Sequence, residues 1–153
     1  MKKLLFLLFL LPLAMFSSCG DDDDVAKVSL NVTFDGLYRS GNDLYAVSTQ
    51  PFTVLSVTCE SLNGKAATLG RVNYLWNGFL AGSSIVQPYT YKFDPATAPL
   101  GRSRLTIEAM VYQVDASVSW VALQYNITLV EKESDLPADA VPVTGGNSGT
   151  ETE

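Results

Sequence analysis

Two cysteines, no histidine and a few scattered carboxylates are the reactive side chains of this 153-residue chain. The missing histidine removes Ser-His-Asp and Cys-His nucleophilic machinery, and with it the commonest zinc ligand. Neither a GxGxxG nor a GxxxxGKS/T phosphate loop is present. A pair of carboxylates flanking one bond can hydrolyse a glycoside, and the candidates are Glu60, Asp94 and Glu108. Asp94 directly precedes Pro95, which marks it as a turn residue, and Glu108 alternates onto the solvent side of its strand. Asp35, Asn42 and Asp43 share one loop and are candidate calcium ligands. The competing reading is that Asp and Asn simply close turns there. The chain is therefore expected to be a non-enzyme, with no catalytic residue, no cofactor and no protein-held metal.

The exposed aromatic side chains are the better functional candidates. If the last two strands join through a short odd-length loop around Ala116, Val111 faces Val121 in the core. Tyr112 then meets Trp120 on the outer face, with Met110 beside them and Leu75 pointing the same way on the neighbouring strand. Such a solvent-facing patch is a candidate contact site for a protein or glycan. Its bland counterpart is a set of cross-strand pairs that only stabilise the sheet. On the first reading, Trp120→Ala weakens binding and leaves the melting temperature nearly unchanged.

The elements that must position these residues are strands. VSLNVTF alternates, with Val28, Leu30, Val32 and Phe34 on one face. The loop DGLYRSGND follows. FTVLSVTCE reads as a second strand with Leu55, Val57 and Cys59 inward, Cys59 being a small buried hydrophobe. In RVNYLWNGFLAG, Asn77-Gly78 between apolar flanks is a strong hairpin signal and sets Trp76 opposite Phe79. YTYKF is a short strand between Pro88 and Pro95. RLTIEAMVY and VSWVALQYNITLV alternate cleanly. About seven short strands without an amphipathic helix point to an all-β sandwich. The tail from residue 131 to 153 is acidic and poor in large apolar side chains, so disorder is expected there.

Charge follows the same division. The whole chain carries −6. Between Val25 and Val130, six acids (Asp35, Asp43, Glu60, Asp94, Glu108, Asp115) face seven bases (Lys27, Arg39, Lys65, Arg71, Lys92, Arg102, Arg104). The sandwich is thus near neutral, and no basic patch of the kind that binds nucleic acid is present. The acidity lies in the tail and in Asp21–Asp24, whose adjacent like charges stay solvated.

The opening MKKLLFLLFLLPLAMFSSCG has the layout of a secretory signal. Lys2 and Lys3 precede thirteen residues, Leu4 to Phe16, that are too few to span a bilayer needing about 20. Its Ser17-Ser18-Cys19 ending resembles the lipobox of bacterial lipoproteins, although Phe16 stands where that family usually has Leu. The resemblance implies cleavage after residue 18, with Cys19 as the first mature, lipid-bearing residue. Each buried acyl CH₂ adds about 0.8 kcal/mol of membrane affinity. With Cys19 occupied, Cys59 has no partner for a disulfide. An acidic run just after such a cysteine looks like the surface-export signal of Bacteroidota-type lipoproteins. It implies an outer-membrane location facing the exterior, the alternative being the periplasmic side.

From YLWNGFLAG through PYTYKFDPATAPLGRSRLTIEAMVY the chain resembles bacterial immunoglobulin-like domains. The elements that match are Trp76, the Asn77-Gly78 turn, the Phe93-Asp94 step, the Leu100-Gly101 corner and the strand from Leu105 to Val111. This implies an immunoglobulin-like β-sandwich of about seven antiparallel strands, of the disulfide-free variety, since Ala109 stands where a second cysteine would be. The expected layout is residues 1–18 signal, 19–24 lipidated cysteine and acidic spacer, 25–130 sandwich and 131–153 tail. The expected role is a lipid-anchored cell-surface binding, adhesion or assembly module. The alternative is a carbohydrate-binding accessory lipoprotein of a glycan-uptake system, with Trp120 and Tyr112 as stacking platforms.

Overall fold

Alternation decides which side chains meet in the core. In the computed structural model, which describes residues 26–113, 118–143 and 145–148, β1 (Val28–Asp35) buries Leu30, Val32 and Phe34. The leader, Cys19 and Asp21–Asp24 lie outside the described residues. After β1 come β2 (Tyr38–Ser40), β3 (Asp43–Val47), β4 (Phe52–Ser61), β5 (Ala67–Trp76) and β6 (Phe79–Ser84). Then follow β7 (Tyr91–Phe93), β8 (Gly101–Gln113), β9 (Ser119–Val130), β10 (Val141–Pro142) and β11 (Gly145–Ser148).

These strands form two sheets, ordered β11-β1-β4-β7 and β10-β2-β3-β9-β8-β5-β6. The chain crosses from the smaller sheet to the larger between β1 and β2, between β4 and β5, and again between β7 and β8. Three strands, β1, β4 and β7, thereby cover the β5-β8-β9 centre of the other sheet, a β-sandwich as the alternation implied and an immunoglobulin-like one as the resemblance implied. The inner face of β8 presents Leu105, Ile107, Ala109 and Val111, and that of β9 presents Leu123, Tyr125, Ile127 and Leu129, all buried. Phe34 meets Tyr125 edge to face at 5.0 Å, joining the two sheets.

Several expectations change. The strands are not all antiparallel, because β3 runs parallel to β9, pairing Leu44 with Ile127 and Val47 with Val130. Part of the expected loop DGLYRSGND is the β2–β3 hairpin, with Tyr38 opposite Tyr45. Leu55 does not point inward and is 44% exposed. Thr33 pairs with Ser56 and Phe34 with Val54, so Leu55 is the extra residue of a β-bulge. The bulge inverts the alternation at that point, and Phe52 and Val54 enter the core in its place. Cys59 is half-buried against the core rather than fully inside it.

Trp76 is also half-buried. It packs at one end of the sandwich, 5.8 Å from both Phe52 and Phe93, whereas Tyr74 fills the middle of the core. The Tyr74 hydroxyl donates to the Tyr89 carbonyl, and the Tyr89 hydroxyl donates to the Leu69 carbonyl at 2.7 Å. The segment after Val130 is not left outside the fold. β10 pairs with β2, β11 pairs with β1, and the buried Val143 donates its N–H to the Leu37 carbonyl at 2.8 Å.

Candidate functional site

Even-numbered residues of β8 and β9 face outward from the larger sheet, because their odd-numbered neighbours are in the core. Along this face Met110 stands opposite Trp120, Glu108 opposite Ala122, Thr106 opposite Gln124 and Arg104 opposite Asn126. The expected pairs Tyr112–Trp120 and Val111–Val121 do not form, since Val111 faces Ser119 and Ala109 faces Val121. The register is displaced by two residues. A shift of two keeps every side chain on its face, so the face was correct and the partner was not.

Trp120 and Tyr112 are exposed at 50% and 46%, and Met110 is half-buried beside them. The Tyr112 ring lies over Gly70, where an added Cβ would come within 2.2 Å of its Cε2. Gly70 sits at a register shift of β5 between Leu69 and Val72, and its bare backbone makes room for the ring. Leu75 does not join this group. It pairs with Thr106, four residues along β8 from Met110, or roughly 13 Å at strand rise.

Leu75 instead borders an open concavity of about 830 Å³ at the other end of the same face. Arg102, Arg104, Thr106, Glu108, Gln124 and Asn126 line it, together with Asn77 and Gly78 of the β5–β6 turn. Both turn residues have positive φ, 51° and 85°, as the Asn-Gly signal requires. The Asn77 N–H donates to the Arg104 carbonyl at 2.8 Å, and the Arg104 N–H donates to Asn77 Oδ1 at 2.8 Å. The Asn77 amide also donates to Ser103 Oγ at 3.3 Å. The hairpin tip is thereby clamped onto β8, and this clamp shapes one wall of the concavity. Two guanidinium groups, three primary amides and one carboxylate line it and can bind and orient a polar ligand. Arg102, Arg104, Gln124 and Asn126 were not singled out in the sequence. Their period-two spacing on two strands was the available signal, but only the pairing register brings them together.

The candidate acids do not converge. Glu60 lies on the smaller sheet, on β4, and Glu108 on the outer face of the larger. Asp94 accepts the Ala96 N–H at 3.1 Å and caps the turn Pro95–Thr97, the turn role read from its proline. Asp35 ends β1 on one sheet and Asp43 opens β3 on the other. Among the described residues no group of three or more His, Cys, Asp or Glu is placed to hold a metal. Burial pushes the Cys59 thiol up, away from the reactive thiolate. Burial also pushes the Tyr125 phenol up, to about 12. Among the described residues no helix is long and apolar enough to cross a membrane.

A smaller cavity of about 300 Å³, which the sequence did not indicate, opens between the sheets beside Phe52, Trp76, Tyr91, Phe93 and Pro95. Phe52 and Phe93 stack there at 4.8 Å.

No family model matches the chain, and no curated protein matches it. Among solved structures, one similar chain is described as "Structures of Clostridium thermocellum CbhA fibronectin(III)-like modules". The alignment is 19% identical, has a TM-score of 0.45 and covers 69% of this chain, which spans 47% of that one.

Proposed function

We propose that this protein is a lipid-anchored, non-catalytic binding or assembly module, held at the outer membrane through Cys19 and facing the cell exterior. The lipobox-like Ser17-Ser18-Cys19 and the following aspartates support the tether and its location. The clamped concavity carries the binding role. It gathers Arg102, Arg104, Gln124 and Asn126 on one sheet face. Strands hold side chains in place better than loops do, so a polar partner is bound with little ordering cost on this side. The arginines meet a partner's carboxylates or carbonyls, and the amides fix its orientation.

A photo-crosslinking residue at Gln124 in the native acylated protein tests this reading. It is expected to trap a discrete protein adduct on cells, and Arg102→Ser with Arg104→Ser is expected to abolish that adduct while the fold persists. The same crosslinker at Thr58, on the other sheet, should trap nothing comparable. Indistinguishable patterns at the two positions would sink the proposal.

The second reading, a carbohydrate-binding accessory lipoprotein of a glycan-uptake system, draws on the half-exposed Trp120 and Tyr112 at the other end of that face from the concavity. It requires retention on a glycan affinity gel that Trp120→Ala removes.

A further inference from the structure

The first described residue shows where the chain enters the sandwich. The Ala26 N–H donates to Gln113 Oε1 at 2.8 Å, at the last residue of β8. The Gln113 amide donates to Ser119 Oγ at 3.1 Å, at the first residue of β9. Next along the chain, the Lys27 carbonyl accepts the Leu62 N–H at 2.7 Å. The entry point, the connection after β4 and the β8–β9 turn therefore share one end of the molecule. The Asn77-Gly78 turn, Arg102 and Arg104 lie at the opposite end of β8.

Both ends expose apolar side chains, the opposite end through Phe79 at 80%, Leu80 at 66% and Leu100 at 56%, so the tether and not exposure alone chooses between them. At the entry end Leu62 is 61% exposed, Val118 46%, Trp120 50% and Tyr112 46%. Lys27 and Lys65 stand in the same two segments. Trp and Tyr favour the boundary between hydrocarbon and water, and lysines beside them favour anionic headgroups.

We infer that this end rests on the bilayer, with Trp120, Tyr112, Val118 and Leu62 in the headgroup boundary and the concavity turned away from it. The inference rests on the proposed acylation of Cys19. Six residues lie between Cys19 and Ala26, seven Cα–Cα steps with a reach of about 25 Å at full extension. β8 is 13 residues long, about 40 Å. The tether is too short for the molecule to stand upright on its opposite end, so the entry end is the one held near the bilayer. Trp120, Tyr112, Val118 and Leu62 are thus the exposed apolar side chains at the tethered end. The polar concavity is the part held furthest out, where a partner can reach it.

Tryptophan fluorescence of the native acylated protein tests this orientation. In Trp76→Phe, Trp120 is the sole tryptophan. In vesicles of phosphatidylethanolamine and phosphatidylglycerol doped with bromine-labelled acyl chains, Trp120 is expected to lose much of its emission. A tryptophan placed by Phe79→Trp at the opposite end, with Trp76 and Trp120 both changed to Phe, is expected to keep its emission. If Trp76→Phe fails to fold, the difference between wild type and Trp120→Phe gives the same reading. Mass spectrometry of the same sample reports on Cys19. An acylated protein with Trp120 unquenched, or with both positions quenched alike, overturns the orientation alone. A free Cys19 thiol with the leader still attached overturns the tether and the orientation together.

Discussion

Trp76 and Trp120 show how one residue type serves two purposes. Trp76 packs on Phe52 and Phe93, and its indole Nε1 is buried without a hydrogen-bond partner among the described residues. Two opposing terms follow from this. Removing the ring loses buried area and leaves a cavity, whereas removing only the N–H deletes an unpaired buried donor. Trp76→Ala should therefore destabilise by about 3–5 kcal/mol, the usual range for a truncated core aromatic. Trp76→Phe should cost about 1 kcal/mol or less, because the freed donor offsets part of the lost packing. Urea unfolding at constant m-value measures both. A Trp76→Phe loss equal to that of Trp76→Ala would mean that the indole N–H is satisfied in solution. Trp120, at 50% exposure, belongs to the other class, and Trp120→Ala should change stability by only a fraction of a kcal/mol.

At the level of elements, the β5–β6 hairpin is the piece that joins fold to site. Its Asn77-Gly78 turn was legible in the sequence because few residue pairs tolerate two consecutive positive φ angles. Its second role was not legible, since the Asn77 side chain bonds to Ser103 and Arg104, 26 and 27 residues away. Asn77→Ala should cost about 1–2 kcal/mol, combining a strained φ with lost hydrogen bonds. Hydrogen exchange provides a sharper check than stability. The Arg104 amide should lose protection in Asn77→Ala, while the amide of Ile107 deeper in β8 keeps most of it. Equal loss at both would indicate general loosening and not a broken clamp. Leu55 and the β8–β9 pairing make the complementary point. Alternation identified faces correctly wherever a strand is regular, and it failed at the bulge, where one inserted residue reverses the count.

At the level of the whole molecule, the segment beyond Val130 closes an edge of each sheet. β10 lies against β2 and β11 against β1, with Val143 buried between them and Leu37. Its composition suggested disorder, because few of its residues are large and apolar. Val141 and Pro142 on β2, Gly145–Ser148 on β1 and the buried side chain of Val143 nonetheless attach it. A chain ending at Val130 should fold with the same circular-dichroism signature and melt several degrees lower, on the scale of about 4–8 °C per kcal/mol for a domain of this size. An unchanged melting temperature would mean that the segment contributes nothing to the sandwich.

The sequence by itself determined the alternating faces, the Asn-Gly turn, the absence of histidine and the all-β class. Each of these is a local property, set by backbone sterics, by a period of two and by which residue types are present. Only the tertiary structure decided the β8–β9 register, the Leu55 bulge, the docking of the tail and the separation of Leu75 from Trp120. Those depend on loop closure and on contacts between residues distant in the chain, where a shift of one or two positions changes partners without changing the local pattern. The concavity belongs to this second group. Arg104, Asn126 and Asn77 come from three different strands and turns, and they become one site only when the strands pair and the hairpin tip bonds across to β8.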